Sequence, residues 1–319
     1  VNNILISCII PAYNIEKYIA RCLESVISQS LTNLEIIVIN DCSTDGTLEI
    51  INEYALKDTR IKVITNEKNS GLSYSRNIGL ENASGQYIHF LDGDDFIKHN
   101  TYEELYKKTL ETPLDIIIFD YYKYSEKNGK ISATKKRKIT PQIIYSTIND
   151  KKKLLNSGVV AWNKIYSNKF LQNNNLRFIN GVYYEDIPFF WRSIILAEHV
   201  LYLNKPFYFY SQRDNSIMKD SINLKKMSDI LFVMLKVKKF LIDSNLYQDF
   251  EAIFTIKFIK TIIIFYSKLQ EYQEEFFHRI SDEFNLLNSS FAKKTGVIRY
   301  AKFGLIKNRR WNLYKVLFK

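Results

Sequence analysis

Asp92, Asp94 and Asp95 put three carboxylates into four residues, interrupted only by Gly93, directly after the apolar run at 87–91. Like charges so close repel one another unless a cation sits among them, and carboxylate oxygens favour hard ions such as Mg²⁺ or Mn²⁺. A second acidic stretch, Asp41-Cys42-Ser43-Thr44-Asp45, follows another apolar run, and Pro11-Ala12-Tyr13-Asn14 follows a third. A metal-bridged diphosphate is the ligand that such groups suit. No GxGxxG turn follows the first apolar run and no GxxxxGK[ST] occurs, which removes the glycine-rich phosphate cradles of dinucleotide and P-loop proteins. The four histidines are scattered, and Cys8, Cys22 and Cys42 form no CxxC pair, so neither a zinc site nor a disulfide framework is expected.

These groups can act together only if the fold brings them to one edge. In open α/β sheets that edge is the crevice outside the carboxyl ends of the strands. Short β-branched runs at 4–10, 35–40, 61–65 and 87–91 predict strands, and helix-period segments at 16–28, 47–56 and 72–82 predict the helices between them. Asn69 and Ser70 are candidate caps for the third helix, and Ser43, Thr44 or Asp45 for the second. Further strands are expected at 115–121, 159–166 and 206–210, with a helix at 187–197. The lysine-rich stretch 123–140, centred on Asn128-Gly129, is expected to be an exposed hairpin or a mobile insertion, and poorly ordered. From Leu224 onward the pattern is long and helical, which places a boundary near Asp220.

With 319 residues, 46% of them hydrophobic, the chain can bury one large core or two moderate ones, and disorder is not the main story. Its formal net charge of +11 is concentrated: nine basic and no acidic residues lie in 284–319, interleaved with Phe291, Tyr300, Phe303, Trp311, Tyr314 and Phe318. That mixture suits a segment lying on an anionic membrane surface, and no nucleic-acid-reading module accompanies it. A solvated basic segment packing its aromatics on the body is the competing expectation. The apolar start has no basic stretch before it and no small-residue cleavage site after it, so it reads as a strand and the protein is expected in the cytoplasm.

The segments SCIIPAYNIEKYIARCLESVISQSLTNLEIIVINDCSTDGT and NSGLSYSRNIGLENASGQYIHFLDGDDF resemble, in spacing and order, glycosyltransferase family 2, the inverting sugar-nucleotide-dependent enzymes of GT-A fold. The likeness continues more loosely through AWNKIY, YYEDIPF and YSQRDNSI, up to about Ile217. It implies an α/β fold, a mostly parallel sheet with helices on both faces, over 1–220. Within it, about 1–100 would hold the nucleotide and about 101–220 the acceptor, followed by a helical region 221–319 with the basic aromatic tail.

The resemblance also assigns residues. Pro11, Tyr13 and Asp41 would hold the nucleotide base, with an aromatic stacking on uracil and a carboxylate accepting its N–H. Arg76 would reach the nucleotide, Asp92 the ribose and metal, and Asp94 the metal directly, with Asp95 supporting them. Asp186 would be the general base and Glu185 its partner, although Asp186 before Ile187-Pro188 also reads as a helix cap. Arg213 and Ser216, in an R-x-x-S element, would lie over the diphosphate. Trp162, Asn163 and Lys164 would lie on the acceptor side, the tryptophan either stacking on a sugar or filling the core. The implied reaction is divalent-cation-dependent transfer of a hexose or N-acetylhexosamine from a UDP-sugar to a growing surface glycan, such as lipooligosaccharide or capsule. The basic tail points to a lipid-linked acceptor and to a peripheral position on the inner face of the cell membrane. The alternative is a non-catalytic sugar-nucleotide or glycan-binding homologue.

Overall fold

The computed structural model describes residues 4–134, 139–213 and 223–268. The chain divides into compact units Val1–Ser216 and Ile217–Lys319.

In the first unit, β1 (Ile6–Ala12) and β2 (Leu34–Asn40) are buried along their whole length, as expected of apolar strands covered on both faces. The helix α1 (Ile19–Ile27) buries Ile19, Cys22, Leu23 and Val26, one stripe at i, i+3, i+4 and i+7. These pack with Ile6, Cys8 and Ile10 of β1 and with Ile36 and Val38 of β2. The alternate residues Ile9 and Ile39 face α3 (Leu72–Glu81) on the opposite side of the sheet. Gly79 permits that approach, because a Cβ there would stand 2.2 Å from Ile9 Cγ2. Between them come α2 (Thr47–Lys57) and β3 (Ile61–Thr65).

Parallel pairing joins β2 to β3 and to β1, and β1 to β4 (Tyr87–Phe90). The chain therefore winds outward from β1 to β3 and then returns to the other side of β1. Open α/β sheets bind their ligands at such a reversal, outside the carboxyl ends of the strands, and it is there, after β1, β2 and β4, that this sequence puts its polar loops. Beyond β4 the sheet runs through β9 (Lys164–Ser167), β6 (Ile116–Ser125), β10 (Val200–Gln212) and β5 (Phe96–Ile97). The strands β7 (Ile131–Ala133) and β8 (Ile144–Tyr145) pair with β6 and β10. Antiparallel pairs of β9 with both β4 and β6 make the sheet mixed in this half. The helices α4 (Thr101–Glu111), α5 (Ile148–Leu154), α6 (Asn168–Asn173) and α7 (Asp186–Leu196) complete the unit.

The stretch 123–140 follows the hairpin alternative over its described residues: it forms the end of β6, a turn with Gly129 at φ +67°, and β7, while 135–138 lie outside the described residues. Aromatics anchor it: Tyr124 packs edge-on against Phe96, and Tyr122, just before the stretch, stacks on Phe209. The start of α3 is not capped by Asn69 or Ser70, since its cap position is Gly71 at φ +87° and the amides of Ser70 and Gly71 are held by Asp41, just after β2.

In the second unit, α8 (Leu224–Asp243) buries Met227, Ile230, Met234, Val237 and Leu241, and α9 (Tyr247–Lys268) follows it. No helix among the described residues is long and apolar enough to cross a membrane. The basic aromatic tail lies outside the described residues.

Candidate active site

Two loops are stitched together above β1 and β2. Asn14, at φ +50°, accepts a 2.8 Å hydrogen bond from Thr44 N, and its own N–H donates to Ser43 Oγ. Ile15 N donates to Thr47 Oγ1, and Asp45 Oδ1 accepts from Thr47 N at the start of α2. Pro11 is buried in β1, whereas the Tyr13 side chain is 44% exposed over the crevice edge. Asp41 was expected to offer a carboxylate to a base. Here its Oδ1 accepts from Asn66 Nδ2 at 2.7 Å and Ser70 N at 2.9 Å, and its Oδ2 from Gly71 N at 2.7 Å. Both oxygens are engaged in holding the loop before α3.

Arg76, on the buried face of α3, joins the two acidic motifs. Nη2 lies 2.9 Å from Asp92 Oδ1, while Nη1 lies 2.9 Å from Asp186 Oδ1 and 3.0 Å from Glu185 Oε1. Its side chain is 1% exposed and stacks over Phe178. Burial opposes the charge, but Asp186, Asp92 and Glu185 outweigh it and raise the arginine's pKa. The expectation that Arg76 reaches the nucleotide gives way to a buried clamp on three carboxylates.

Asp186 opens α7, with Glu185 at the cap position after Tyr184 at φ +65°. Its Oδ2 accepts from Ala161 N at 3.3 Å. Lys164 fixes that neighbouring turn, donating from Nζ to Val160 O at 2.6 Å, Asn163 Oδ1 at 2.8 Å and Gly158 O at 3.2 Å. Burial raises the pKa of Asp186 while Arg76 opposes the rise. Glu185 is pushed up to about 7, by burial first and by the Asp186 charge second. Such a pair is a basic carboxylate beside a group that holds a proton near neutrality.

The Asp92 loop packs tightly over β1, where a Cβ on Gly93 would stand 2.9 Å from Pro11 O. Asp94 Oδ2 pairs with Arg213 Nη2 at 2.8 Å, and the Arg213 guanidinium lies over the Tyr18 ring. Burial raises the Asp94 pKa against the pull of Arg213. Asp95 is buried and anchors β10, accepting from Tyr208 Oη at 2.5 Å and Ser211 N at 2.7 Å. Ser216 lies outside the described residues.

Other sequence expectations resolve. Trp162 is a core residue, stacked on Tyr208 and Tyr210, so it is no open platform for a sugar. Asn163 and Lys164 are buried and act as framework. His89 is buried between Tyr102 Oη and Trp162 O, and burial lowers its pKa to about 4, so it stays neutral. Arg21, which no motif marks, donates from Nη2 to Asp94 O and Ser211 Oγ. Only its place one turn inside α1, facing the end of β4, could have drawn attention to it.

Among the described residues, no group of three or more His, Cys, Asp or Glu side chains is gathered closely enough to hold a metal alone. The donor chemistry nevertheless fits a divalent cation. Among the described residues Arg76 pairs with Asp92, Glu185 and Asp186, and Arg213 with Asp94, and Mg²⁺-like ions commonly take one or two carboxylates plus phosphate oxygens.

The family model described as Glycosyl transferase family 2 matches residues 7–174, which include the loops after β1, β2 and β4. The chain belongs to glycosyltransferase family 2. It is 31% identical over 242 residues to GlyG of Streptococcus pneumoniae, covering 73% of the chain and 79% of GlyG. It is 37% identical over 221 residues to GlyA of the same organism, covering 67% of the chain but only 31% of GlyA. Its fold is similar to that of S. aureus TarS residues 1–349 crystallised with UDP-GlcNAc, with a TM-score of 0.73 at 23% identity over 98% of this chain and 90% of that one. The glycosyltransferase fold is thus the GT-A type.

Proposed function

We propose that this glycosyltransferase moves a hexose or N-acetylhexosamine from a UDP-sugar to a hydroxyl of a growing surface glycan, with inversion and in a single displacement. The observation that carries the reading is the joining of Asp92, at the end of β4, to Glu185 and Asp186, at the start of α7, through one buried guanidinium. A donor-holding carboxylate and a candidate base thereby share one cation. A UDP-sugar donor draws support from TarS, whose structures include complexes with UDP-GlcNAc and with UDP.

In this reading Pro11 and Tyr13 flank the nucleotide base, and Asp41 shapes the loop beside it. Asp94 and Asp92 would hold Mn²⁺ or Mg²⁺, which when bound neutralises charge on the donor diphosphate. Arg213, with Ser216, would add charge-assisted bonds to the leaving diphosphate. Asp186 takes the proton from the acceptor hydroxyl as that oxygen attacks the anomeric carbon from the opposite face. Its raised pKa suits this task, because a more basic carboxylate is a better proton acceptor. Glu185 shares the Arg76 clamp and orients Asp186. The basic tail would keep the enzyme at the inner face of the membrane, near a lipid-linked acceptor.

The test is product stereochemistry with an α-configured UDP-sugar. A β-linked product by NMR, together with a loss of about 10² to 10⁴ in transfer for Asp186→Asn at nearly unchanged UDP affinity, is expected. Retained configuration, or near-normal turnover in that variant, overturns the mechanism.

A further inference from the structure

We infer that Arg21 is a positioning residue for the diphosphate side of the site, setting Asp94 and Arg213 relative to each other. The inference rests on the proposed roles of those two residues. Arg21 lies on α1, yet its guanidinium gathers three other segments. Nη2 donates to Asp94 O at 3.4 Å in the loop after β4 and to Ser211 Oγ at 3.1 Å near the end of β10. Both Nη atoms pair with Glu126, at the turn between β6 and β7.

The plane of the guanidinium is held as firmly as its hydrogen bonds. It lies 4.5 Å from the Phe96 ring centre and 4.9 Å from that of Tyr124. Glu126 also donates its backbone N–H to Gln212 O, and Ser211 N donates to Asp95 Oδ1. The residue before Arg213 and the residue after Asp94 are therefore both tied into one network with Arg21 at its centre. A planar fork stacked on aromatic rings can make these contacts together, which a lysine ammonium cannot. Asp94 and Arg213 lie far apart in sequence, and their 2.8 Å contact needs both backbones fixed.

The experiment compares wild type, Arg21→Lys and Glu126→Gln by calorimetric titration with uridine, with UDP in EDTA, and with UDP in Mn²⁺, alongside melting curves. A positioning role predicts unchanged uridine affinity and a metal-dependent gain in UDP affinity that shrinks about 10-fold in Arg21→Lys. Glu126→Gln should move in the same direction by less. The Mn²⁺ concentration giving half-maximal UDP binding should rise in both variants. If uridine and UDP weaken equally, or the Mn²⁺-dependent gain is unchanged, Arg21 is merely structural and the inference fails. A wild type that does not bind UDP would instead overturn the donor-site reading beneath it.

Discussion

Arg76 Nη1 lies 2.9 Å from Asp186 Oδ1 inside the sheet-helix layer, and its other terminal nitrogen reaches Asp92 at the same distance. The two acidic motifs are 94 residues apart in number but share one cation. Removing that cation leaves buried carboxylates uncompensated, which commonly costs about 3–5 kcal/mol. Arg76→Met should lose stability on this scale at pH 8 and less at pH 5, below the value of about 7 to which Glu185 is raised, where that partner holds a proton. Urea denaturation at the two pH values checks this, and equal losses would count against the clamp.

Glu185 carries a pH dependence of definite sign. Its pKa rises from an ordinary 4.5 to about 7 in the fold. Between those values the folded protein binds more protons than the unfolded chain, so this group's contribution to stability falls as pH rises from 4.5 to 7 and is flat above. Glu185→Gln removes the change. The melting temperature of the variant relative to wild type should therefore be higher at pH 8 than at pH 4.

Asp94 is the proposed direct ligand of the cation. Asp94→Asn should abolish Mn²⁺- or Mg²⁺-dependent turnover and weaken UDP binding in the presence of metal, because a charged oxygen donor is lost. Undiminished wild-type turnover in excess chelator would remove the metal from the reaction.

The basic tail makes a prediction independent of the catalytic groups. Each basic residue near an anionic leaflet contributes up to about 1 kcal/mol, and residues 291–319 hold nine of them. A variant lacking 291–319 should no longer co-sediment with phosphatidylserine-containing vesicles, while transfer to a short soluble acceptor continues. Salt should weaken binding of the intact chain, since charge reaches only about 8 Å at physiological ionic strength. Unchanged vesicle binding after truncation would refute the membrane reading, and a large fall in melting temperature would favour packing on the body.

Local patterns made much of the protein legible. The alternation of β-branched runs and 3.6-period helices placed β1 to β4 and α1 to α3 within a few residues of their observed ends, because both signals come from neighbours in the chain. The acidic loop at Asp92 and the pair Glu185-Asp186 were visible for the same reason, as was the family likeness. Longer-range pairing was harder to see: β10 runs for 13 residues where only five were expected, since its first residues pair with β6 and β8 and its last with β6.

Tertiary structure alone decided what each charged group faces. Arg76 could be read as a nucleotide contact until α3 turned it onto Asp92, Glu185 and Asp186. Asp41 could be read as a free acceptor until the loop before α3 delivered three donors to it. Trp162 became a core residue only when β10 brought Tyr208 and Tyr210 against it, and Arg21 gained its partners from three distant segments. Residue type and spacing set which elements form and which chemistries are available. Hydrogen bonds and ion pairs depend on distance and direction within an ångström or so, and only the packing of remote segments supplies those.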